Sequence, residues 1–94
     1  MIKNPSKEPS MALYEQIVRL QDVESCYRFF KDLCSITEQR ALEQRYDVAR
    51  LLYEGKVYTE IVEQTGASSA TISRVNRALK YGDNGLLEAF ETES

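Results

Sequence analysis

This 94-residue chain predicts an all-α fold of six helices, on three observations. Apolar residues recur at three and four from Met11 almost to the end, the period of an amphipathic helix. Pro5 and Pro9 both precede Met11, and nothing after them alternates as a strand does. Polar or glycine-bearing breaks between the periodic runs are short. A chain of this length makes one domain, expected over 11–94 behind a mobile tail at 1–10, since MIKNPSKEPS is polar and Pro-containing.

The first helix is expected over Met11–Gln21, with Leu13, Ile17, Val18 and Leu20 as its apolar stripe. Asp22 reads as the cap of a second helix running to about Cys34, where Val23, Cys26, Tyr27, Phe30, Leu33 and Cys34 form a broad apolar face. A third begins at Thr37, a cap followed by an early acid that suits the helix dipole, and runs to about Glu54 before Gly55 ends it. Ala41, Val48 and Leu52 occupy one sector of that helix, and Leu42, Tyr46, Ala49 and Tyr53 another. A helix apolar on more than one side must be sandwiched, and in so small a domain a partner subunit supplies the second layer. Phe29 and Phe30 point about 100° apart, so one can enter its own core while the other meets that partner. These residues predict a homodimer held by 11–54.

Val57–Lys80, VYTEIVEQTGASSATISRVNRALK, is the most informative stretch. A fourth helix, Tyr58–Thr65, is anchored by Ile61 and Val62. Gly66 suits a tight turn, and Ser68 or Ser69 can cap a fifth helix over Ser69–Tyr81. Ile72, Val75 and Leu79 make one apolar stripe, while Ser69, Ala70, Ser73, Arg74, Arg77 and Lys80 lie opposite. That layout, over 57–81, is a helix-turn-helix whose second helix suits the DNA major groove. Gly82, Asp83, Asn84 and Gly85 form a turn, and a last helix, Leu86–Phe90, returns as a lid.

The net charge is −3, which taken alone speaks against nucleic acid. Its distribution speaks otherwise: no acid occurs from Gly66 to Gly82, where Arg74, Arg77 and Lys80 stand. A local positive stripe on an acidic body fits specific DNA binding and argues against indiscriminate coating. Arg77 and Lys80 are the candidate phosphate or base contacts. Ser69, Ala70, Thr71 and Ser73 are small enough to approach base edges, Ala70 against a thymine methyl, although Thr71 lies near the apolar edge. Tyr58 and Thr59 can donate to phosphate, whereas Glu60 repels it.

Other classes find little support. No acid stands with a His, a nucleophile or a phosphate-cradling Gly loop in a recognisable order, so no enzyme is expected. With no His and no Cys-x-x-Cys, neither is a structural zinc. Cys26 and Cys34 read as reduced, buried, core-filling thiols. No secretory segment or membrane span is visible, and a cytoplasmic location is expected. The rival to a DNA-binding regulator is a protein-interaction module that keeps the fold without reading DNA, favoured by the acidic total charge and Glu60.

Arg40–Lys80, RALEQRYDVARLLYEGKVYTEIVEQTGASSATISRVNRALK, resembles the tryptophan repressor superfamily, and within it the small YerC/YecD-type regulators of Gram-positive bacteria. The GASSATISR block at this spacing from the ALEQR helix carries the resemblance. It covers about half the chain strongly, while the N-terminal part matches only in helical character. The family implies an intertwined all-helical homodimer with two projecting reading heads on a palindromic operator, and repression tuned by a small-molecule co-repressor. Arg45 and Arg74 match the two arginines that sandwich the ligand's indole in the tryptophan repressor. On their own spacing, Arg45 reads equally as a partner for a neighbouring acid, and Arg74 as a phosphate contact or a solvated charge. The chain departs from that pocket in two places. Val75 stands where the repressor has a small Gly, and Ala78 where it has a serine near the ligand's amino group, so tryptophan itself fits poorly.

Overall fold

The structure, a computed structural model, describes residues 8–92. Most of the tail expected at 1–10 lies outside the described residues. Six helices follow in order: α1 (Met11–Arg19), α2 (Val23–Leu33), α3 (Ile36–Tyr53), α4 (Tyr58–Thr65), α5 (Ser69–Tyr81) and α6 (Gly85–Glu91). There is no strand among the described residues. The chain divides into two compact units, one ending at Ser35 and the other beginning at Ile36. Within the second unit the longest helix, α3, packs with α4, α5 and α6.

In the first unit, α1 stops two residues short of the expected end. Leu20 turns extended, and its N–H closes back onto the carbonyl of Ile17. Leu13, Ile17 and Leu20 are half-buried, but Val18 is 83% exposed and leaves the expected stripe. The reason is angular, since Val18 follows Ile17 by about 100° and rotates out of the Leu13–Ile17 direction. At the start of α2 the Asp22 carboxylate accepts from the Ser25 N–H at 2.7 Å. That backbone bond, and then the Ser25 hydroxyl, hold the Asp22 carboxyl below its ordinary range. Arg28 pairs with Glu24 one turn back. Neither α1 nor α2 buries a single residue, and Met11, Tyr14, Val23, Tyr27 and Leu33 are exposed. Cys26 and Cys34 are free thiols and only half-buried, not core-filling as expected. A two-helix unit has too little depth to enclose them.

The second unit holds the core. Val48 and Ala49 of α3, Ile61 of α4, Ala67 of the turn that follows it, Ile72, Val75 and Leu79 of α5, and Phe90 of α6 form one cluster, with Leu51, Leu52, Leu86 and Leu87 packed against it. The two apolar sectors of α3 are therefore put to one use at Val48 and Ala49, while Leu42, Tyr46 and Tyr53 stay largely exposed. Gln39 is buried to 4% exposure, and its Oε1 has no hydrogen-bond partner. At the end of α3, Gly55 adopts φ +86. Its N–H and that of Lys56 donate to the carbonyls of Leu52 and Leu51, closing the helix in a Schellman turn. Phe90 fixes α6, its ring meeting those of Tyr46 and Tyr53 with centroids 5.7 and 5.1 Å away. No helix among the described residues is long and apolar enough to cross a membrane.

Candidate nucleic-acid interface

The site is built on α4, a three-residue turn and α5. Of the two apolar anchors expected in α4, Ile61 is fully buried, whereas Val62 faces largely outward. One inward position per turn is all that an eight-residue helix can offer when it is covered from one side. Thr65 closes the helix end twice over. Its hydroxyl donates to the Ile61 carbonyl at 2.7 Å and accepts from the Ala67 N–H at 3.1 Å. The Gln44 side chain of α3 reaches the Thr65 carbonyl at 3.1 Å, which seats the turn on α3.

Gly66 takes the left-handed conformation, φ +71, where a side chain would be strained. Ala67 then drops its methyl into the core, and Ser68 caps α5. The Thr71 N–H donates to Ser68 Oγ at 3.1 Å, and the Ser68 hydroxyl lies 3.1 Å from Thr71 Oγ1. Thr71 is thereby half-buried and engaged in the cap, unlike the other small residues of the row. The choice between Ser68 and Ser69 as cap resolves in favour of Ser68, which leaves the Ser69 side chain exposed.

From there α5 divides cleanly. Ile72, Val75 and Leu79 are buried. Ser69, Ala70, Ser73, Arg74, Arg77, Ala78 and Lys80 are exposed. Arg74, Arg77 and Lys80 form no ion pair among the described residues, so three full cationic charges stand open on an acid-free stretch. Tyr58 and Thr59 join Ser69 in lining an open groove of about 480 Å³, with Val62 and Glu63 as its other walls. Glu60 is half-buried.

The residues that the resemblance assigned to a ligand pocket are distributed differently. Arg45 and Arg74 are exposed, and Arg45 forms no ion pair among the described residues. Ala78 is also exposed, but Val75 lies in the core at 5% exposure. Val75 falls on the Ile72–Leu79 stripe, so its isopropyl group fills space between α5 and the helices beneath it instead of facing an open pocket. Among the described residues no cluster of His, Cys, Asp or Glu is arranged to hold a metal ion.

Sequence reasoning passes over three features of the site. Ala67 is the only apolar residue of the turn, a signal that it faces inward. Gln44 and Thr65 give no such signal, because their bond joins residues far apart in sequence. Tyr81 reads in the sequence only as the end of a helix, yet it is 82% exposed.

The Trp repressor protein family matches residues 10–94. YerC of Bacillus subtilis (strain 168), an uncharacterized protein, is 56% identical over 79 residues, which cover 84% of this chain and 76% of that protein. The crystal structure of a candidate Trp repressor from Staphylococcus aureus superposes with a TM-score of 0.83 at 39% identity, covering 87% of this chain and 82% of that one. A TrpR-like protein from Eubacterium eligens ATCC 27750 gives a TM-score of 0.82 at 48% identity, covering 86% and 84%. With six helices in this order, a capped turn before α5 and a family match from residue 10 to the last residue, the chain belongs to the Trp repressor family.

Proposed function

We propose that the protein is a sequence-specific DNA-binding transcription regulator, a repressor, that acts as a homodimer in the cytoplasm. The observation that carries this reading is the two-sidedness of α5. Its apolar stripe is consumed by the core, and its other face offers hydroxyls, a methyl and three unpaired cations with no carboxylate between Gly66 and Gly82. Small side chains at the start of α5 let the helix approach base edges, while Arg77 and Lys80 meet phosphates. Tyr58 and Thr59 line the same groove as Ser69, which supports their donating to the same DNA backbone.

The homodimer rests on α1 and α2. Two helices that bury nothing while exposing Met11, Tyr14, Val23, Tyr27 and Leu33 need a second layer, and an identical copy provides one with matched chemistry. Two reading helices would then enter successive major grooves about 34 Å apart on a palindromic operator. Arg45 and Arg74, both exposed, are the residues to which an anionic or aromatic co-repressor would bind, although Val75 and Ala78 make tryptophan a poor one.

Selection of duplexes from a random pool, followed by fluorescence anisotropy, tests this reading. Arg77→Ala combined with Lys80→Ala should weaken binding and flatten its salt dependence by about one unit of slope for each phosphate no longer neutralised. Unchanged affinity in that double variant removes the proposed face. Failure of the intact chain to bind any duplex at low salt favours a protein-interaction module. Sedimentation equilibrium should give twice the 10.8 kDa chain mass.

A further inference from the structure

We propose that Tyr81 is a further DNA-contacting residue, its phenolic hydroxyl donating to a backbone phosphate at the edge of the groove that α5 enters. This rests on the DNA-binding reading above and extends the contact row to its far end.

Three observations converge on it. Tyr81 closes α5 and is 82% exposed, so its ring contributes nothing to the core that the preceding stripe builds. It also lies on the same line along the helix as the proposed contacts. Tyr81 follows Arg77 by four residues and Arg74 by seven. At about 100° per residue, it points within roughly 20° of Arg74 and 40° of Arg77, on the side away from Leu79. Finally, its surroundings suit an anion. Lys80 and Arg77 are unpaired neighbours, and the nearest acid in sequence, Asp83, lies beyond the helix end in the turn to α6.

The reach is right as well. From Ser69 to Tyr81 the helix rises about 18 Å, while the major groove is about 12 Å wide. A helix whose first turns lie at base edges therefore carries its last turn to the phosphate wall. A tyrosine there has a use that a lysine does not. It donates one directed hydrogen bond and adds no charge, so it orients the helix without strengthening indiscriminate attraction to nucleic acid.

The chemistry gives the test a distinctive signature. A neutral donor releases no counterion, so removing it lowers affinity without changing the salt slope. On a duplex selected by the intact chain, Tyr81→Phe should weaken binding about five- to tenfold with a parallel salt plot. Arg77→Ala, measured beside it, should lower the slope. Tyr81→Phe within twofold of the intact chain, while Arg77→Ala is weakened, overturns the assignment of Tyr81 and leaves the DNA-binding reading standing. A weakening seen in Tyr81→Ala but not in Tyr81→Phe overturns the hydroxyl contact in favour of ring packing. A changed assembly mass in either variant overturns it in favour of a subunit contact. An intact chain that binds no duplex sinks both readings together.

Discussion

The guanidinium of Arg50 stands 4.5 Å from the centre of the Phe90 ring, and its Nη2 donates to the Tyr46 hydroxyl at 3.1 Å. One side chain of α3 therefore gathers an aromatic from its own helix and another from α6. Phe90 is 2% exposed and shares the core with Leu79, so α6 reports on the seating of α5. Phe90→Ala should lose about 3–5 kcal/mol in urea unfolding. Arg50→Lys should lose less, about 0.5–1 kcal/mol, if the planar cation is what the ring senses. The two losses should fail to add in the double variant.

The turn before α5 should be the most sensitive short segment. Ser68→Ala removes the cap acceptor and should cost about 0.5–2 kcal/mol. Gly66→Ala meets no neighbouring atom, so its cost should come from the backbone alone, about 1–2 kcal/mol for a Cβ in the left-handed region. Thermal unfolding followed by circular dichroism separates them, and Ser68→Asp should keep most of the stability. Gly82 is constrained differently, because a Cβ there would run into the carbonyl oxygen of Ala78.

Asp22 gives the first unit a defined pH response. Its carboxyl is held below the ordinary value of 3.8 by the Ser25 N–H, so the charged form is favoured by folding. The stabilisation is complete above that ordinary value and is lost as pH falls through the lowered one. The melting temperature of Asp22→Ala should lie below that of the unaltered chain near neutral pH and converge with it in acid. A gap that persists unchanged in strong acid would mean that the cap's charge is irrelevant.

Tryptophan should bind weakly or not at all. The Val75 side chain is already committed to the core, and wedging an indole beside it costs about 1–3 kcal/mol in overpacking. Without a hydroxyl at Ala78, the ligand's ammonium loses a partner worth about 1–3 kcal/mol. Titration calorimetry of the assembled protein with L-tryptophan checks this, and micromolar affinity would overturn it.

The second unit is far more legible in the sequence than the first. Ile72, Val75 and Leu79 recur at one face, Gly66 is the residue a left-handed position requires, and Ser68 stands where a cap must. The first two are local signals with one physical solution each, while the cap stays open between Ser68 and Ser69 until the Thr71 N–H selects Ser68. In α1 and α2 the signal is equally apolar, yet Val18 and Val23 are exposed and the two cysteines half-buried. Periodicity reveals which residues can share a face, not what lies opposite them. The same limit hides Arg50 over Phe90, two residues from distant helices whose meeting depends on the path of everything between them. The buried amide of Gln39 gives no sequence signal, since glutamine on a helix is ordinarily solvated. At the candidate interface the exposed face of α5 is readable as a pattern of charge. Thr71's engagement with Ser68 is not, because a hydroxyl one turn into a helix can face a base or a cap equally well.

The bracing around Thr65 has a consequence for how this region can change over time. With Ile61 and Ala67 both held by one hydroxyl, and Ile72 seated only a few residues later, the linker has no slack to absorb an added residue. Lengthening it by one would advance the following helix by about 100°, turning hydrocarbon toward water and guanidinium toward the interior. Exchanges of side chain are open to the outward row one position at a time without disturbing the core, whereas insertions and deletions in this linker are closed off.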